Sequence, residues 1–141
     1  MSSFLICVDA SVVVRLVTDP ADGPIDMLWA GWRATPEAFA APTLLRYEIT
    51  NALYRLGRYG RLRSSAVEEA LASALNIPIQ LHDEPGLHLE ATRIAQRFNL
   101  PAAYDAHYLA LAERLAVEFW TADRRLEQAV ASALPWVHLA G

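Results

Sequence analysis

The sequence predicts an α/β domain with a mainly parallel central sheet flanked by helices. Residues 4–8 and 117–121 are short apolar runs with the length of buried strands. Much of the chain between them carries apolar residues at helical spacing. Strands alternating with helices are the mark of βα units, whose crossovers set strands parallel. At 141 residues, 54% hydrophobic and 20% charged, the chain has the length of one domain, 1–141, and can bury a core.

Each element follows from local chemistry. The strand 4–8 ends at a polar residue, Asp9. Over 10–17 the run Val12, Val13, Val14 favours strand on propensity, but a second strand without a turn would have nowhere to go, so a short helix is expected. The Pro- and Gly-bearing stretch 19–24 predicts a turn. A helix is expected over 25–34, with Met27, Leu28 and Trp32 inward. Residues 39–41 suit a short strand ending at Pro42. Thr43 is placed to cap the next helix, where Leu45, Ile49, Ala52, Leu53 and Leu56 share a face and Gly57 and Gly60 end it. Ser64 or Ser65 is expected to cap a helix running to Leu75. A strand over 78–81 and a helix over 87–98 follow. Pro101 is expected to open the helix that runs to about Leu115, with Tyr104, Tyr108, Leu111, Ala112 and Leu115 on one face. The strand 117–121, a helix from Arg124 to about Ser132 and a strand over 136–139 complete the chain.

Composition narrows the chemistry. All 12 basic residues are arginine, which removes mechanisms that need a lysine, including the Walker A phosphate loop and Schiff bases. Cys7 is the single cysteine, so neither an intrachain disulfide nor a cysteine zinc site is available, and a buried structural thiol is expected. The short first apolar run lacks a preceding basic stretch and no run reaches membrane-spanning length, so a soluble cytoplasmic protein is expected. The net charge of −4 argues against a nucleic-acid partner unless several acids hold a cation.

Four acids could do so. Asp9 follows the first strand and Asp123 lies just beyond the strand 117–121, where an open parallel sheet binds ligands outside its carboxyl edge. Each could equally cap the helix after it. Glu48 borders the stripe of Leu45, Ile49 and Ala52, and Asp105 borders that of Tyr104, Tyr108 and Ala112. A charge at the margin of a buried face is costly unless paired or metal-bound; pairing with Arg46, Arg55 or Arg114 is the alternative. Gathered in one crevice, the four could not all stay ionised without a cation. Oxygen-only ligands suit Mg²⁺ or Mn²⁺, and such a site polarises a phosphodiester and activates water.

Val8-Asp-Ala-Ser-Val-Val-Val14, Leu45-Arg-Tyr-Glu-Ile-Thr-Asn51, Tyr104-Asp-Ala-His-Tyr-Leu-Ala-Leu-Ala112 and Trp120-Thr-Ala-Asp-Arg-Arg-Leu126 together resemble the PIN-domain family, and within it the VapC toxins of bacterial toxin–antitoxin pairs. The resemblance spans Leu5 to Leu139. It implies a PIN-like three-layer sandwich and an Mg²⁺- or Mn²⁺-dependent endoribonuclease that hydrolyses RNA as the toxin of such a pair. On that mapping Asp9 and Asp105 ligate metal directly, and Glu48 and Asp123 do so directly or through water. Thr121 and Ser11 match the family's small polar positions and would hold water or phosphate, although for Ser11 a helix cap is the plainer expectation. Asn51 would orient Glu48 or face solvent. A VapB-like antitoxin covering the acidic groove and a homodimer are also implied. A PIN ribonuclease of RNA processing without an antitoxin, or a binding module with the same fold, are the alternatives.

Arg46, Arg55, Arg58, Arg61 and Arg63, interleaved with Tyr54 and Tyr59, could track RNA phosphates or an antitoxin, or form a solvated helix face. Arg124 and Arg125, directly after Asp123, could reach substrate, although an ordinary first-turn position is the plainer expectation. His82, His88, His107 and His138 show no ligand spacing and receive no catalytic role; the tryptophans are expected in core or interface. Phosphoaspartate receivers and haloacid-dehalogenase-type phosphatases also use an aspartate after the first strand, but they place a lysine beside the phosphate, which this chain lacks.

Overall fold

The computed structural model describes residues 5–19, 25, 29–31, 34 and 39–140. Five short strands, β1 (Ile6–Val8), β2 (Phe39–Pro42), β3 (Ile79–His82), β4 (Glu118–Thr121) and β5 (Val137–Leu139), form one sheet in the order β3-β2-β1-β4-β5. Every neighbouring pair is parallel. The helices bounded among the described residues are α1 (Ala10–Thr18), α2 (Leu44–Arg58), α3 (Ser64–Leu75), α4 (Gly86–Phe98), α5 (Tyr104–Leu115) and α6 (Arg124–Val130). Helices α1, α2 and α3 pack on one another, and α4 pairs with α5, which lies against β1, β2 and β4. The sheet is thus the middle of three layers, as expected.

The ambiguous valine run is helical: Val12 and Val13 are buried, because a helix there closes directly over the sheet. Residue 25 and residues 29–31 are also helical, and Trp29 stacks on Phe39 with ring centroids 5.6 Å apart. The expected inward residues Met27, Leu28 and Trp32 lie outside the described residues, as does most of the turn 19–24.

Several expected boundaries move. Thr43 occupies the N-cap position of α2 but has helical dihedrals, so its hydroxyl caps no amide. The N-cap of α3 is Arg63, and both serines fall inside the helix. Helix α5 starts at Tyr104 behind Ala103, leaving Pro101 in the preceding bend; Asn99, in the left-handed region at φ 52°, already ends α4. These shifts share a reason. Cap propensity marks the neighbourhood of a terminus, while packing against the sheet fixes the residue.

Gly57 lies inside α2 rather than ending it, and the turn is made by Gly60 at φ 74°. A Cβ on Gly57 would stand 2.8 Å from Cγ2 of Val67 on α3. Val67 is stiff at χ1, so the clash must be relieved by moving one helix. Gly57→Ala should destabilise the protein by about 1–3 kcal/mol in urea denaturation. Adding Val67→Ala should recover part of that loss; no recovery would place the strain elsewhere.

Candidate active site

The chain leaves β1 toward β2 and β3 on one side, and later returns to add β4 and β5 on the other. The two directions part between β1 and β4, the switch point where an open α/β sheet leaves a crevice at its carboxyl edge. The register pairs Val8 with Trp120, so Asp9 and Thr121 emerge side by side at that edge.

Asp9 is buried, with 4% of its surface exposed. Its side chain caps α1, with Oδ1 accepting from the Val12 amide at 3.3 Å. Ser11 Oγ donates to Oδ1 and Thr121 Oγ1 to Oδ2, each at 2.5 Å. Both hydroxyls also accept from the loop after β4: Ser11 from the Ala122 amide at 2.8 Å and Thr121 from the Asp123 amide at 3.0 Å. They therefore tie the ends of β1 and β4 together. Ser11 is not the helix cap expected of it; Asp9 fills that place, and Ser11 supports Asp9. Burial holds the Asp9 carboxyl above its ordinary value, at about 6, despite these hydrogen bonds; the charge of Asp105 adds to the rise.

Asp123 likewise caps its helix, with Oδ1 accepting from the amides of Arg125 at 3.0 Å and Leu126 at 3.3 Å. Capping and proximity to the cleft are thus compatible for both aspartates. Glu48 projects from α2, and its Oε1 accepts from the hydroxyl of Tyr108 on α5 at 2.5 Å. Burial raises the Glu48 pKa, the Tyr108 hydrogen bond opposes this, and the charge of Asp105 raises it again. Asp105, in the first turn of α5, is raised by burial and by the charge of Asp123. Burial followed by the charge of Glu48 pushes the Tyr108 phenol upward, so it remains a protonated donor.

All four carboxylates line one cleft of about 410 Å³, with Ser11, Val14, Arg15 and Ala52 completing its wall. The alternative pairing with Arg114 is not made: that guanidinium bonds Glu84 and, at 2.6 Å, Glu90. Among the described residues no three acidic or histidine side chains already stand at coordinating distance. The local geometry accounts for this. Asp9 and Asp123 are engaged as caps and Glu48 by Tyr108. The donor set still fits a hard divalent cation: the acids are oxygen-only, and Asp9, Glu48 and Asp105 are destabilised as anions by burial and then by a neighbouring acid, Asp105 for the first two and Asp123 for Asp105. A cation would relieve that penalty.

Tyr108 had been visible in the sequence only as part of an apolar stripe; its position one turn after Asp105 on the face toward α2 was the available signal. Tyr108→Phe should lower divalent-metal affinity roughly 10–100-fold, as loss of a partner supporting a metal ligand does. A titration by calorimetry checks this, and unchanged affinity would make the hydrogen bond purely structural. Asn51, by contrast, is exposed and is not among the cleft residues.

Arg46, Arg55, Arg58 and Arg124 are all exposed and none lines the acidic cleft. Arg55 and Arg61, with Tyr59, border a separate groove of about 610 Å³ that shares Val14 and Ala52 with the cleft. The Arg55 guanidinium sits 5.9 Å from the Tyr59 ring centroid. Cys7 is fully buried and its thiol is pushed up to about 12, which suits packing rather than nucleophilic attack.

The sequence profile of the PIN domain matches residues 6–131, which carry every residue of this cleft. The chain is a VapC-like member of the PIN-domain family. Ribonuclease VapC9 of Mycobacterium tuberculosis is 34% identical over 122 residues, covering 86% of this chain and 88% of that protein. The crystal structure of PAE2754 from Pyrobaculum aerophilum superposes with a TM-score of 0.71 at 28% identity, covering 94% of this chain and 91% of that one. A toxin–antitoxin complex from Klebsiella pneumoniae shares the fold alone, with a TM-score of 0.64 at 15% identity over 97% of this chain and 96% of that one. In this PIN domain the four acids come from four separate segments of the matched region.

Proposed function

We propose that this PIN domain is a divalent-metal-dependent endoribonuclease acting as the toxin of a toxin–antitoxin pair. The observation that carries the reading is the convergence of Asp9, Glu48, Asp105 and Asp123 on one cleft at the switch point. The VapC-type ribonuclease relatives support the substrate class. A cytoplasmic homodimer held inactive by a small VapB-like antitoxin completes the proposal. No helix among the described residues is long and apolar enough to cross a membrane.

Asp9, Asp105, Glu48 and Asp123 would hold Mg²⁺ or Mn²⁺. When bound, the cation would polarise the phosphodiester and lower the pKa of water for in-line attack. Thr121 and Ser11 fix the orientation of the Asp9 carboxylate by donating to one oxygen each. Tyr108 does the same for Glu48 by donating to its Oε1. The low exposure of Asp9 limits competition from bulk water, which strengthens electrostatic interactions there.

The test is cleavage of total RNA by the purified, antitoxin-free protein with Mg²⁺ or Mn²⁺ and with EDTA. Discrete fragments that require the metal are expected. Intact RNA under all conditions, from folded protein, would overturn the nuclease reading in favour of a binding module.

A further inference from the structure

A nuclease that cuts within a strand must let that strand continue on both sides of the scissile phosphate. The cleft carries four carboxylates, which repel the flanking phosphates, so an exit that holds them needs cations of its own. The groove of about 610 Å³ beside the cleft supplies such cations. The two concavities share Val14 and Ala52, which form an apolar sill between them. Beyond the sill the groove is lined by Arg55, Leu56, Tyr59 and Arg61, and no acid among the described residues lines it.

One helix face builds most of this path. Glu48, Ala52, Arg55 and Tyr59 recur at spacings of three and four, so α2 and its C-cap present them in a row from cleft to groove. At 1.5 Å per residue, Arg55 stands roughly 10 Å along the axis from Glu48, which suits a phosphate next to the scissile one. The end of the helix supplies the second cation. The Arg61 amide donates to the Leu56 carbonyl at 2.8 Å and the Gly60 amide to that of Gly57 at 3.1 Å. With Gly60 at φ 74°, these are the paired bonds of a Schellman turn, which folds Arg61 back to the groove that Arg55 lines.

Both arginines are exposed, and neither forms an ion pair with a described residue. The Tyr59 ring is 65% exposed, with the Arg55 guanidinium 5.9 Å from its centroid. Guanidinium groups beside an exposed ring are the combination that tracks single-stranded RNA, cations for the backbone and a face for a base.

We propose that this groove carries the RNA strand flanking the cut, resting on the ribonuclease reading: Arg55 and Arg61 hold backbone phosphates and Tyr59 stacks a base. Such contacts carry little sequence information, so the groove sets affinity and position, not the choice of cleavage site.

Anisotropy of a fluorescein-labelled single-stranded RNA in EDTA, over a range of salt concentrations, tests this apart from cleavage. The slope of log affinity against log salt should shrink by about 0.7 in each of Arg55→Ala and Arg61→Ala. Arg55→Lys and Arg61→Lys keep the charge and should keep the slope. Arg93→Ala removes an exposed arginine from α4, which pairs with α5 away from α2, and should leave the slope unmoved. Tyr59→Leu should weaken binding about ten-fold with the slope unchanged. In metal-dependent cleavage the two alanine variants should raise KM several-fold, with kcat and the fragment pattern little changed. Unchanged slope and KM in both, or an equal loss of slope in Arg93→Ala, would overturn the groove's role and leave the nuclease reading standing. A change of oligomeric mass in the alanine variants, without a change of slope, would overturn it in favour of a protein interface. The expected slopes with no cleavage under Mg²⁺ or Mn²⁺ would support the groove and sink the nuclease reading.

Discussion

Asp9→Asn should abolish RNA cleavage and, at the same time, make the metal-free protein more stable at neutral pH. Asparagine keeps the shape and the capping oxygen but carries no charge. The Asp9 carboxyl has an ordinary value of 3.8 and is held at about 6 in the folded chain, chiefly by burial. A carboxyl raised on folding binds its proton more tightly in the native state. The stability of the metal-free protein therefore falls as pH rises from about 4 to about 6, and the full penalty is present above that window. The difference corresponds to about 3 kcal/mol. Urea denaturation of wild type and Asp9→Asn should converge near pH 4 and separate by that order at pH 7. Saturating Mn²⁺ should stabilise the wild type at pH 7 and leave the variant unmoved. The loss of activity should exceed the roughly 10–100-fold typical of removing a mere supporting partner. If the variant is the less stable of the two at pH 7, the ionised carboxylate is already compensated by something other than a cation.

Thr121→Val should have the second-largest effect, and in the opposite direction for stability. Valine fills the same volume but removes the donor to Asp9 and the acceptor for the Asp123 amide. Thr121 is fully buried, so water cannot replace either hydrogen bond. A loss of about 1–3 kcal/mol is expected at pH 7. The Thr121 hydrogen bond lowers the Asp9 pKa, so its removal should move that pKa, and the acid limb of the activity profile, to higher pH. A stability loss with an unmoved pH profile would confine Thr121 to tying β1 to β4. Thr121→Ser, which keeps the hydroxyl, should restore the profile while retaining part of the stability loss from the missing methyl group.

The two variants act on one small assembly, and its parts were unequally visible in the sequence. Asp9 and Asp123 could be placed because each follows a recognisable apolar strand, and parallel strands end at the same edge. Glu48 and Asp105 could be singled out because a charge at the margin of an apolar stripe has few inexpensive positions. Periodicity gave the face of each helix, since side-chain direction along a helix repeats every 3.6 residues. It could not supply the hydrogen bond from Tyr108 to Glu48. That contact depends on the separation and relative rotation of α2 and α5, which are set by packing over the sheet. Asn51 shows the converse. It lies near Glu48 in sequence, yet its position on α2 turns it to solvent.

Ser11 and the histidines fall between these cases. The sequence marks Ser11 as a helix-start residue, but two polar residues compete for one cap, and only the alignment of β1 with β4 decides that Asp9 takes it. His88 and His107 have no telling separation along the chain, and they meet because α4 and α5 pack side by side.

The sequence by itself determined the α/β alternation and the lysine-free chemistry, and singled out four acids that the fold brings to one cleft, because these depend on composition and on order along one element at a time. The tertiary structure decided which hydroxyl supports which carboxylate and where the switch point opens. Those depend on distances between elements far apart in the chain, which close packing of side chains fixes and local periodicity does not encode.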